Sequence, residues 1–185
     1  MQALLISTAA VAIAEIGDKT QLLSLVLAAK YRRPVPICLG ILVATLANHA
    51  LAGWFGAAAS AWLTPDVLKW VIVVSFLAIG LWTLVPDKLD DVDGGLRRHG
   101  SVFLTTTVAF FVAEMGDKTQ VATVVLGAQY EPLWQVVAGT TVGMLLANVP
   151  VVWLGARFAD RLPLRATRIA AAVLFIALAI WVALS

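Results

Sequence analysis

Cysteine, histidine and charge are all scarce in this chain of 185 residues, which has one cysteine (Cys38), two histidines (His49 and His99), 13 basic and 11 acidic side chains. A single cysteine excludes an internal disulfide. So few thiols and imidazoles also exclude zinc-hydrolase motifs and thiolate or imidazole metal centres. Any metal ion bound here is expected to be held by oxygen. Charged residues make up 13% of the chain and the net charge is +2, against about 25% charge in a soluble domain, and so small a net charge points away from nucleic acid. The N-terminal stretch MQALLISTAAVAIAE lacks the basic region of a signal peptide, so residue 1 is expected to begin the first span. Apolar residues fill the place of charge: 61% of the chain is hydrophobic and its mean hydropathy is +0.93. That balance excludes disorder, coiled coil and a secreted disulfide scaffold, and predicts a polytopic membrane protein.

A helix that spans a bilayer needs about 20 apolar residues. Runs of that kind fall at 3–29, 35–61, 67–85, 102–128, 133–156 and 168–185, which predicts an all-α membrane fold of six transmembrane helices. The chain is also an internal duplication. Residues 15–21 read EIGDKTQ and residues 114–120 read EMGDKTQ. The same offset aligns Leu27, Ala29 and Tyr31 with Leu126, Ala128 and Tyr130, Gly40 with Gly139, and Phe76 and Trp82 with Phe175 and Trp181. One residue inserted in the second copy brings Asn48 onto Asn148. The repeat unit is three helices, and an odd number forces the two copies to enter the membrane in opposite directions, an inverted-topology repeat. The expected organisation is a first repeat over 1–85, an acidic cytoplasmic linker over 86–100 and a second repeat over 101–185. The linker carries Asp87, Asp90, Asp91 and Asp93 before Gly94-Gly95 and reads as a solvated hinge.

The basic residues give an orientation. Lys30, Arg32 and Arg33, then Lys88, Arg97 and Arg98, then Arg157, Arg161, Arg165 and Arg168 all fall on one side of the expected spans, with only Lys69 opposite. The basic side is expected to be cytoplasmic, with both termini extracytoplasmic. Trp62, Trp70, Trp82, Trp134, Trp153 and Trp181 fall near span ends, where indole suits the membrane interface.

The remaining charges carry the chemistry. Glu15, Asp18 and Lys19 sit at the centre of the first span, and Glu114, Asp117 and Lys118 at the centre of the fourth. On a continuous helix, acids three residues apart share one face. Each ionisable group at a helix centre costs roughly 2.5–3.5 kcal/mol to insert, so six of them represent about 15 kcal/mol before compensation, which points to function. Gly17 and Gly116 permit a kink, a close helix approach or carbonyls turned toward a ligand. Thr20 and Thr119 add hydroxyl oxygens, and Gln21 and Gln120 add amides. Lys19 and Lys118 either balance unoccupied carboxylates or snorkel away. Asn48 and Asn148 are neutral ligands or interhelical hydrogen bonders. His49, matched by Val149, carries a proton or is a structural residue, and Pro150 is expected to kink the fifth span.

If the repeats meet at mid-membrane, four carboxylates and their oxygen-bearing neighbours form a cage that suits Ca²⁺, Mn²⁺ or Mg²⁺, with Mg²⁺ disfavoured because it dehydrates reluctantly. Four acids against two lysines leave two negative charges, enough to balance one divalent cation. Crowded carboxylates without a cation take up protons, so metal and proton compete for the same oxygens, the minimum chemistry of an antiporter. A passive divalent-cation channel and an exporter of small organic cations are alternatives that the same acids admit. Nothing in the sequence resembles a catalytic nucleophile, and neither an enzyme nor a cofactor is expected.

Two copies of E-φ-G-D-K/R-S/T in three-helix halves resemble the family of manganese/calcium cation–proton exchangers found in bacterial plasma membranes, chloroplasts and the Golgi, the second cation/Ca²⁺ exchanger superfamily. The resemblance implies six or seven helices and a cation site built from both motifs, with Mn²⁺ or Ca²⁺ moved against protons. It makes Glu15, Asp18, Glu114 and Asp117 the cation-binding acids, with Thr20 and Thr119 in support. Without an organelle-targeting extension, the expectation is a bacterial inner-membrane exporter of Mn²⁺ whose partners are the metal ion, protons and the lipid bilayer. Homo-oligomerisation is left open.

Overall fold

A computed structural model of the chain describes residues 1–85, 101–154 and 164–184. The described residues form eight helices: α1 (Gln2–Glu15), α2 (Lys19–Tyr31), α3 (Pro34–Ser60), α4 (Pro65–Thr83), α5 (Val102–Glu114), α6 (Lys118–Gln129), α7 (Leu133–Leu154) and α8 (Leu164–Leu184). The linker 86–100, with His99 and three of the orienting cations, lies outside the described residues, as do Arg157 and Arg161.

Two of the runs expected to be continuous are interrupted. The run 3–29 divides into α1 and α2 at Ile16-Gly17-Asp18, and the run 102–128 divides into α5 and α6 at Met115-Gly116-Asp117. The cause is local. Gly17 (φ 85°) and Gly116 (φ 74°) adopt a left-handed conformation that glycine enters without steric cost, flanked by extended residues on either side. Glu15 and Asp18 therefore do not share the face of one helix, and neither do Glu114 and Asp117. Each glutamate ends one helix, while each aspartate stands at the N-cap position of the next.

The other helices begin where sequence signals place them. Pro34 and Pro65 occupy the first turns of α3 and α4, where a missing N–H costs nothing. The Ser101 hydroxyl caps α5 by accepting the Leu104 N–H at 3.1 Å. The α3, α4 and α7 helices are long and apolar enough to cross a membrane, whereas α1, α5 and the Arg168–Leu184 part of α8 are shorter apolar helices. Helix α7 continues through Pro150 to Leu154.

The two halves of the chain interlock. Helices α1 and α2 pack on α7, α5 and α6 pack on α3, α3 meets α7, and α4 lies along α8. One apolar core joins α1, α4, α6 and α8 around Phe76 and Phe175, whose rings stack with centroids 6.1 Å apart. These two phenylalanines are the pair related by the internal repeat. A second core joins α2, α3, α5 and α7 around Leu23, Ile41, Phe110 and Met144. Small residues let the backbones of α3 and α6 meet: a Cβ on Gly127 would lie 2.5 Å from the Gly53 carbonyl oxygen, and one on Gly56 would lie 1.9 Å from that of Val124. The six tryptophans expected at span ends are all exposed. The packing thus brings the two helix breaks together from sequence positions about a hundred residues apart.

Candidate cation site

The breaks determine where the acids go. Glu15 is the last residue of α1 and Glu114 the last of α5, so each carboxylate adds to the negative end of a helix dipole, a placement unfavourable for an anion unless a cation is nearby. Carboxylate oxygens of Glu15, Glu114 and Asp117 lie within 4.8 Å of one another, and all three residues are buried. Glu15 Oε2 accepts a hydrogen bond from the Thr20 hydroxyl, and Glu114 Oε2 accepts one from the Thr119 hydroxyl at 3.2 Å. Glu15 Oε1, Glu114 Oε1 and Asp117 Oδ2 have no hydrogen-bond partner among the described residues. Three buried, unsatisfied carboxyl oxygens in one place are costly unless a cation or protons meet them.

The lysines answer the question that the sequence left open. They balance carboxylates rather than snorkel away, and their ion pairs cross between the motifs. Lys118 Nζ donates to Asp18 Oδ1 at 2.9 Å, and Lys19 Nζ lies 3.2 Å from Asp117 Oδ1. Asp18 is buried against Lys118 and stands outside the three-carboxylate cluster. The two motifs are thus related in sequence but unequal in the site.

The amides hold the breaks. Gln21 Oε1 accepts the Gly17 N–H at 2.9 Å and Gln120 Oε1 accepts the Gly116 N–H at 2.6 Å. With Asp at the N-cap position and Gln at the third helical position, each glutamine reaches back over the helix start to the glycine before it, while the aspartate side chain makes no cap bond. The Gln21 amide donates to Ala147 O at 3.1 Å, and the Gln120 amide donates to Asn48 Oδ1. Asn48 Nδ2 in turn reaches Phe111 O, near the end of α5, at 3.3 Å. Asn148 Oδ1 accepts from the Ser24 hydroxyl at 2.7 Å and its Nδ2 donates to Met144 O at 3.1 Å. The four amides proposed as ligands from the sequence are therefore engaged in fixing helices to one another. Ser24 was not singled out in the sequence, where an isolated serine in an apolar helix gives no signal.

His49 reaches the cluster from α3. It is fully buried, with Nε2 3.8 Å from Glu114 Oε2. The arrangement as a whole offers unpartnered carboxylate oxygens at two negative helix ends, with hydroxyls in support. Its donors suit a hard divalent cation.

Comparison with known proteins gives the same chemistry. A family described as "Divalent cation/proton antiporter GDT1" matches residues 3–91 and 102–185. The chain is 55% identical over 181 residues to a Vibrio cholerae protein named "Putative manganese exporter", covering 97% of this chain and 90% of that one. It is 25% identical to "GDT1-like protein sll0615" of Synechocystis over 89% of this chain and 88% of the relative, and 25% identical to "GDT1-like protein 5" of Arabidopsis thaliana over 89% and 87%. No solved structure matches the chain at a significant level. With both halves matched, the chain belongs to the GDT1 family of divalent cation/proton antiporters, which are transporters and not enzymes.

Proposed function

We propose that the chain exports Mn²⁺ from the bacterial cytoplasm in exchange for protons, with Ca²⁺ as a second substrate, and that the cation binds among Glu15, Glu114 and Asp117. The observation that carries this reading is the cluster of three buried carboxylates with unpartnered oxygens at the two helix breaks. Thr20 and Thr119 orient the glutamates, and Asp18 and Lys118 brace the opposite motif. The name of the Vibrio cholerae relative supports manganese. Metal and protons occupy the same oxygens in turn, which couples their movement.

In this reading α1 with α2, and α5 with α6, each form one interrupted span. Together with α3, α4, α7 and α8 they give six spans in two inverted repeats, 1–85 and 101–185, joined by a cytoplasmic linker over 86–100. The repeat of the motifs, the crossed lysine–aspartate pairs and the packing of each interrupted pair on the opposite long helix support that arrangement. The basic connections support cytoplasmic loops with both termini outside. A site at the junction of two interrupted helices suits alternating access by rocking of one repeat against the other. A passive channel would need an open path past the acids, and Glu15 and Glu114 are fully buried.

The test uses everted membrane vesicles holding a preformed acid-inside pH gradient. Addition of Mn²⁺ should collapse the gradient in vesicles carrying the chain, and Ca²⁺ should do so more weakly. A Glu15→Gln/Glu114→Gln variant should lose both responses. A collapse that survives in that variant contradicts the site.

A further inference from the structure

A nitrogen lies at the edge of the cluster, beside the Glu114 carboxylate. His49 is fully buried on α3, and neither ring nitrogen has a hydrogen-bond partner among the described residues. Buried imidazole nitrogens are normally satisfied by protein or water, since leaving them bare costs free energy. The nearest charged group is functional: Nε2 lies 3.8 Å from Glu114 Oε2, the oxygen held by Thr119. The histidine breaks the repeat, which places Val149 at the matching position of α7, beside Asn148 as His49 is beside Asn48. One half of the site thus carries a nitrogen donor and the other an apolar side chain.

We infer that His49 is a further ligand of the transported cation, supplying an imidazole nitrogen beside Glu114 that selects a transition-metal ion over Ca²⁺ and Mg²⁺. This inference rests on the carboxylate cluster being the cation site. The selectivity follows from donor chemistry. Ca²⁺ and Mg²⁺ take oxygen ligands, so an imidazole in the shell costs them a favourable contact, whereas Mn²⁺, which also suits oxygen, stands at the start of the first-row series whose ions bind nitrogen with rising affinity and loses less by accepting one. An all-oxygen cage, expected from the scarcity of histidine, would leave size and ligand number as the only means of separating Mn²⁺ from Ca²⁺. One asymmetric nitrogen adds a chemical criterion. It also makes the two halves of the site inequivalent at the glutamates.

The test uses the full chain in proteoliposomes, with KM for Mn²⁺ and for Ca²⁺ read from the pH change that each metal evokes. His49→Val, which copies Val149, and His49→Gln should each raise the KM for Mn²⁺ by roughly tenfold, the scale of losses seen when a metal's supporting groups are removed, and lower that for Ca²⁺, most of all in His49→Gln, whose amide oxygen suits Ca²⁺. An unchanged ratio of the two KM values overturns the assignment. A second measurement needs no change at position 49. In a His99→Gln chain His49 is the only imidazole, and pulsed electron paramagnetic resonance of bound Mn²⁺ should show modulation from a coordinated imidazole nitrogen. Bound Mn²⁺ without that nitrogen signal overturns the proposal. Glu114→Gln separates this failure from failure of the underlying site. If Mn²⁺ does not bind the parent chain, or binds Glu114→Gln equally well, both readings fall. If Glu114→Gln abolishes binding while the parent shows bound Mn²⁺ and no nitrogen signal, only the role of His49 falls.

Discussion

Removing the Lys118 ammonium should expose how far the two motifs depend on each other. Lys118 Nζ and Asp18 Oδ1 are 2.9 Å apart, with the lysine 4% and the aspartate 2% exposed, so neither charge is screened by solvent. Lys118→Met leaves the Asp18 carboxylate buried with its countercharge gone. Breaking a buried pair in this way costs about 3–5 kcal/mol, whereas replacing both charges is often close to neutral. At 2–4 °C per kcal/mol for a chain of this size, the single variant should lose on the order of 10 °C in unfolding midpoint. Asp18→Asn/Lys118→Met should recover more than half of that loss. The Lys19–Asp117 pair is longer, at 3.2 Å, and the Lys19 side chain is 16% exposed, so Lys19→Met should cost less. The assay is thermal unfolding of the detergent-purified chain, followed by the fluorescence of its 7 tryptophans. A loss in the double variant equal to the sum of those of Asp18→Asn alone and Lys118→Met alone would refute the crossed pairing.

Other outcomes follow from the helix breaks and the site. Gly116 has a φ of +74° and nothing within 4 Å of an added Cβ, so Gly116→Ala should cost only the backbone strain of about 1–2 kcal/mol, read as a modest fall in unfolding midpoint. Gly127→Ala should be worse despite the smaller conformational demand, because its Cβ meets the Gly53 backbone at 2.5 Å. The two variants compared by expression and unfolding midpoint test whether close approach outweighs backbone strain here. Mn²⁺ at a hundred times its Kd should stabilise the parent chain by about 2.7 kcal/mol, and Glu15→Gln/Glu114→Gln should show no metal-dependent shift.

Much of this was written in the sequence, and the remainder was hidden for identifiable reasons. The repeated EφGDKTQ motif, the apolar runs and the placement of prolines at helix starts are local signals, and the helices at 34–60, 65–83 and 133–154 begin within two residues of the expected spans. The interruptions were harder to see. A glycine inside an apolar run is compatible with a kink, a packing contact or a left-handed break, and only the D-x-x-Q spacing after it marks a new helix start. Crossed pairing of Lys19 with Asp117 and of Lys118 with Asp18 depends on contacts between residues about a hundred positions apart, which no local pattern encodes. For the same reason Asp18 reads as the equal of Asp117 in sequence, while the fold pairs both with lysines and brings only Asp117 into the carboxylate cluster. The amides of Asn48 and Asn148 allow ligand or helix-bridging roles equally until their neighbours, Gln120 and Ser24, are located.

The most direct test of the central claim is the anomalous scattering of manganese in crystals of the chain soaked in Mn²⁺. The account predicts one strong peak within ligand distance of Glu15, Glu114 and Asp117 in the parent chain, lost in Glu15→Gln/Glu114→Gln. A peak confined to the acidic linker or to another surface, with the cluster empty at saturating Mn²⁺, would contradict it.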